Sequence, residues 1–131
     1  KLESSYHSHN IGNVMEFISL DSGHIVPHSG EQLEWLEGKL RDSLAKPFRT
    51  ALYHTPLYPG RREITEKLTK EGREYWMPVF DKYHLSVGFE NHDHIYKRTY
   101  PLKDDKIDST GTIYIGDGAW GVSPRKAKSR W

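Results

Sequence analysis

Short runs of β-branched and aromatic residues alternate along this chain with stretches of helical periodicity, and that alternation limits the available folds more than any other feature. Val14 to Leu20 (VMEFISL) ends at Asp21-Ser22-Gly23 and reads as a strand followed by a turn. After a loop rich in Gly, His, Pro and Ser, Ser29 stands three residues before Gln32, a capping-box spacing that starts a helix. Leu33, Leu36, Leu40 and Leu44 then recur at spacings of three and four, so residues 30–45 carry one apolar face, and Pro47 closes the helix. Phe48 to Tyr53 (FRTALY) is a second strand, and HTPLYPGRR after it is a loop. Residues 62–73 are almost wholly charged or polar, which predicts a partly helical surface segment. Trp76, Val79, Phe80 and Tyr83 share a helical face, with Pro78 placed in that helix's first turn. Leu85–Phe89 is a third strand, Ile95–Tyr100 a fourth and Thr112–Ile115 a fifth. Strand, helix, strand, helix, strand is the order of an α/β sheet whose parallel neighbours are joined by crossover helices.

At 131 residues the chain has the size of one domain, and its 35% apolar and 28% charged residues fit a globular protein, neither a disordered tail nor a membrane protein. A net charge of +1 supplies no basic field for a polyanion, so there is no signal for nucleic-acid binding. The C-terminal PRKAKSRW is a short local cluster that reads as a solvated tail. No run approaches the roughly 18 apolar residues of a membrane span. Absence of cysteine excludes disulfides and thiolate metal sites. The opening KLESSYHSHN has neither an initiating Met nor an apolar leader core and reads as an internal stretch of a longer polypeptide.

In parallel α/β sheets the chemistry sits just past the C-terminal ends of the strands. His54 follows directly on FRTALY, and His92 with His94 follow on LSVGF, so three imidazoles are expected at one edge of one sheet. On extended backbone, residues i and i+2 point the same way, which lets His92 and His94 serve one metal ion or two neighbouring ions. A lone strand-end histidine such as His54 has an ordinary structural reading, and the ligand reading rests on the trio. His24 and His28 lie in the loop after the first strand, from which they could reach such a site, but they have no support comparable to the trio's. His84 reads as a cap at a helix end. His7 and His9 also form a His-x-His pair, but they precede any clear element and read as surface residues.

With those residues in view, the chain resembles the metallophosphoesterase (calcineurin-like) superfamily, in its purple-acid-phosphatase-like branch. FRTALYHTPLYP is similar to that family's strand and loop ending in a metal-binding His, and GFENHDHIYKRT resembles its Gly-His-x-His signature. GNVMEFISLDS with GEQLEWLEGKLRD, EYWMPVFDKYHLSVGF and GTIYIGDGAWGV resemble the flanking segments, in the family's order, so the likeness runs from about Tyr6 to Val122. It implies the C-terminal half of a four-layer α/β/β/α sandwich and phosphoester hydrolysis at two metal ions, divalent or trivalent (zinc, iron or manganese). By the same resemblance His54 and His92 are ligands to the second ion and His94 to the first.

Two positions depart from the family. Asn91 stands where the family has glycine, which places a left-handed backbone at that residue. The further histidines that purple acid phosphatases often carry after this loop are missing from PGRREITEKL, where Arg61 or Arg62 is either a phosphate contact or a solvated arginine. The family's Asp, Gly-Asp and Gly-Asn-His motifs belong upstream of this stretch, and Gly116-Asp117, in another place and order, reads as a turn. The resemblance therefore implies a missing N-terminal half, or a self-dimer, covering the sheet, and an isolated piece of very low activity. It also implies a family commonly exported from the cell. A second reading stays open, a non-catalytic binding module on the same scaffold.

Overall fold

A computed structural model describes residues 4–128; the last three residues of the basic tail lie outside it. The strands are β1 (His7–Ile11), β2 (Met15–Ser19), β3 (Phe48–Tyr53), β4 (Val87–Glu90), β5 (Tyr96–Arg98), β6 (Leu102–Lys103), β7 (Lys106–Ile107) and β8 (Ile113–Asp117). The helices are α1 (Glu31–Asp42) and α2 (Lys67–Lys82). One six-stranded sheet runs in the order β1-β2-β3-β4-β8-β5, with β2, β3, β4 and β8 mutually parallel and β1 and β5 as antiparallel edges. The α/β class and the adjacency of the two His-bearing strands agree with the pattern read from the sequence.

Both crossovers step in the same direction across the sheet, and a right-handed crossover then puts both helices on the same face. That face carries the register row Ile18, Ala51, Gly88 and Tyr114 together with Tyr53, and it packs against Leu36 and Leu40 of α1 and Trp76 and Phe80 of α2. A Cβ at Gly88 would stand 2.6 Å from the Tyr53 hydroxyl and 3.0 Å from the Tyr114 ring, so only glycine lets both rings fill the centre of the layer. The opposite face is apolar too. It carries the row Phe17, Thr50, Val87, Ile113 and the row Ser19, Leu52, Phe89, Ile115, with Phe48 49% and Leu52 37% exposed.

Several local expectations give way to tertiary contacts. Ser29 does not cap α1: Gly30 holds the N-cap position without a side-chain hydrogen bond. Gln32 instead turns inward, where its Oε1 accepts from the Asp21 amide at 2.8 Å and its Nε2 donates to the carbonyls of Asp21 and Pro27. Helix α1 ends at Asp42, well before Pro47, with the Ser43 hydroxyl donating to the Leu40 carbonyl. Pro78 lies inside α2 rather than in its first turn, because α2 reaches back to Lys67 to bury Thr69 and Gly72. His84 follows that helix at φ 54°, the left-handed position at which helices commonly stop. Gly116-Asp117 is the end of β8, not a turn. The sequence reading missed β1 and the β6–β7 hairpin, whose two turn residues Asp104 and Asp105 both have positive φ, as a two-residue hairpin loop requires.

Arg49 ties the frame together. Its guanidinium donates to the carbonyls of Ser43, Lys46 and His84, joining the end of α1 to the entry of β4. Trp76 is fully buried and donates from Nε1 to the His28 carbonyl at 3.0 Å. Replacing Trp76 by Ala opens a cavity and strands that carbonyl, so urea unfolding should show a loss of about 3–5 kcal/mol.

Candidate metal centre

The three histidines singled out by sequence come together. His54 is the residue after β3, His92 and His94 sit just past β4, and all three line one pocket of about 230 Å³ with Asn91, Gly118, Ala119, Trp120 and Val122. His54 Nε2 and His92 Nδ1 are 2.8 Å apart and share a hydrogen bond. Two nitrogens bound tetrahedrally to one zinc ion lie roughly 3.4 Å apart, so a small opening of this pair would admit an ion. Among the described residues, however, no group of three or more His, Asp or Glu side chains stands in ligating geometry. The donor chemistry fits a metal; the arrangement is that of an imidazole pair with a third imidazole on the same pocket wall.

The His-x-His segment is not extended. His92 and His94 both adopt left-handed backbone, φ 65° and 55°, whereas Asn91, the expected left-handed residue, does not. Each such residue costs roughly 1–2 kcal/mol, and strain of this kind persists only where the surroundings hold it. Asn91 supplies part of that hold: its amide donates to the His54 carbonyl and its Nδ2 to the Tyr53 carbonyl, locking the ends of β3 and β4 together.

The loop carrying His54 is buried from Thr55 to Gly60, so its amides need partners. Three side chains provide them. Ser22 Oγ accepts from the His54 and Thr55 amides, at 2.9 and 3.0 Å. Glu90 accepts from the Leu57 amide at 2.7 Å and from the Tyr53 hydroxyl at 2.9 Å, and its other oxygen pairs with the Lys97 ammonium. Lys97 also donates to the Tyr58 carbonyl. Asp93, between the two histidines, accepts from the Gly60 and Arg61 amides at 2.7 and 2.9 Å and so straps the loop to the His turn. Burial, with the Glu90 carboxylate beside it, holds the Tyr53 phenol well above its usual pKa and keeps it a donor. Sequence reading passed over Glu90 and Asp93; a carboxylate placed within or beside an apolar strand tip was the available signal.

The other candidates separate. His24 packs on His54, ring centroids 5.4 Å apart, with its loop held by the Asp21 carboxylate. His28 is buried against Trp76 at 4.5 Å and belongs to the core. Arg62 Nε lies 3.9 Å from Asp93 Oδ1, beside the His turn, while Arg61 donates to the Lys126 carbonyl of the tail. His7 and His9 lie on the edge strand β1, away from this pocket.

The sheet, with the pocket at its strand tips, matches the C-terminal region of the purple acid phosphatase fold. Among curated proteins the chain is 32% identical to probable purple acid phosphatase 20 of Arabidopsis thaliana over 118 residues, 86% of this chain and 27% of that protein. It is 31% identical to purple acid phosphatase 15 of the same plant, covering 86% of this chain and 22% of that protein. No protein-family profile matches. A purple acid phosphatase from yellow lupin seeds superposes with a TM-score of 0.78 at 22% identity, over 95% of this chain and 24% of that one. GAP50, titled the anchor in the inner membrane complex of Plasmodium, superposes at 0.65 with 13% identity, over 95% of this chain and 40% of that one. The chain belongs to the purple-acid-phosphatase-like branch, as its C-terminal region, and spans about a quarter of the length of the curated relatives it matches.

Two measurements probe the centre. Burial, then the positive charge of Arg62 and the neighbouring His54, depress His92 to a pKa of about 4 from 6.5. An NMR titration of the metal-free chain should place its midpoint there. The unfolded state then binds the extra proton first, so this group's stabilising contribution is complete above pH 6.5 and declines as pH falls toward 4. Glu90→Gln leaves the mostly buried Lys97 ammonium without its counter-charge and should lower stability in urea by about 3–5 kcal/mol.

Proposed function

We propose that this chain supplies the histidine side of a dinuclear centre at which the longer polypeptide hydrolyses phosphoesters. The observation that carries the reading is the convergence of His54, His92 and His94 on one pocket past adjacent parallel strands, in a chain 32% identical to a purple acid phosphatase. His54 and His92 would hold one ion and His94 the other. Metal ions bound there supply Lewis acidity toward a phosphoryl oxygen and lower the pKa of bound water. The chain's own contribution is positional: Asn91 fixes the spacing of the two strand tips, Asp93 the His turn, and Ser22 and Glu90 the loop behind His54. Arg62, beside the turn, offers a guanidinium to a phosphate oxygen.

Three imidazoles bring no negative charge, so the carboxylate and Asn ligands come from an upstream part of the polypeptide. The same part covers the bare apolar sheet face around Leu52 and Phe89; in its absence a second copy does so. A second reading, a non-catalytic module, draws on the Plasmodium anchor, whose likeness shows that this fold also occurs in a protein titled for anchoring.

Elemental analysis and turnover of p-nitrophenyl phosphate by the long polypeptide separate the two. His92→Ala and His94→Ala should each remove bound metal and cut kcat/KM by more than the roughly 10–100-fold that losing an outer hydrogen-bond partner of a ligand costs. Equal metal in all three proteins would support the binding module. Residues 1–131 alone should show almost no turnover, and rates near those of the long polypeptide would contradict the divided centre.

A further inference from the structure

We infer that His7 and His9 form a separate metal site, a two-imidazole chelate for a divalent transition ion such as zinc, copper or nickel. The pair lies on β1, an edge strand bonded to β2 alone, and strand geometry sends residues i and i+2 to the same face. The register pairs His7 with Ser19 and His9 with Phe17, which puts both rings on the face opposite the helices. Both residues are exposed, and their ring centroids are 5.1 Å apart at 74°. Donor nitrogens on one zinc ion lie roughly 3.4 Å apart, a separation two rings so placed reach by side-chain rotation alone. The facing neighbours Ser19 and Phe17 bring no charge to oppose a cation. Imidazole nitrogen suits zinc, copper and nickel, and water completes the coordination.

The site is distinct from the pocket holding His54. In the sheet order β1 stands two strands from β3, roughly 10 Å by strand spacing, before the chain beyond β3 is counted. The inference rests on β1 and its β2 partners and uses none of the residues that line the pocket.

Copper(II) added below stoichiometry to the ¹⁵N-labelled 131-residue chain tests it, because a paramagnetic ion broadens only nearby amides. Residues 7–11 and their partners Phe17 and Ser19 should broaden, as a set separate from residues near His54 and His92. In His7→Ala/His9→Ala the β1 set should stay sharp while the pocket set still responds; both positions are exposed, and circular dichroism verifies the fold. A β1 set that stays sharp in the unsubstituted chain at excess copper, or broadening there that survives the double substitution, would overturn the inference. Broadening at β1 with none at the pocket would support this site, and leaves the catalytic reading standing, since that reading draws further ligands from the upstream part of the polypeptide.

Discussion

The structure depends on the Glu90 carboxylate. It closes β4 at the tip where the sheet ends, and from there it receives the Tyr53 hydroxyl of β3, the Leu57 amide of the buried loop and the Lys97 ammonium of β5. A loop buried from Thr55 to Gly60 has lost its water, so its amides must find acceptors inside the protein. Glu90, with Ser22 and Asp93, supplies them from three different segments. His54 begins that loop, and its direction follows from where those acceptors stand.

The sheet explains why the imidazoles meet at all. Four parallel strands bring their C-terminal ends to one edge, and β3 and β4 are neighbours, so the residues just past each are adjacent by topology. What topology does not set is the last few ångströms. Those come from Asn91 bonding both strand ends and from left-handed backbone at His92 and His94, which Asp93 holds by gripping the opposite loop. Among the described residues the same sheet has helices on one face only. Its other face, lined by Phe17, Leu52, Val87 and Phe89, is largely apolar as well, so β3 and β4 carry apolar residues toward both faces.

Much of this was legible in the sequence because it is local. The runs at 48–53 and 85–89, the Leu periodicity of α1 and the positions of the three histidines at strand tips all follow from patterns a few residues long. What was not legible depends on partners far along the chain. Gln32 leaves a capping role because Asp21 and Pro27 offer a buried site for its amide. Pro78 sits inside α2 because burial of Thr69 and Gly72 extends the helix backwards past it. Glu90 and Asp93 take their role from a loop more than thirty residues upstream whose amides they accept. His-x-His was read as extended from spacing alone, and the tight turn became visible only with the backbone angles. Strand β1 was missed since HSHNI has no apolar alternation; it forms as the antiparallel partner of β2.

The central claim is that His54, His92 and His94 grip metal ions together. Long-range ¹⁵N–¹H spectra of the imidazole rings, recorded while zinc is added to the long polypeptide, test it most directly. The account predicts that the ligating nitrogens of these three rings shift together and saturate at two ions per chain, with the core residue His28 unmoved. Rings of His54, His92 and His94 that keep their metal-free shifts at saturating zinc would contradict it.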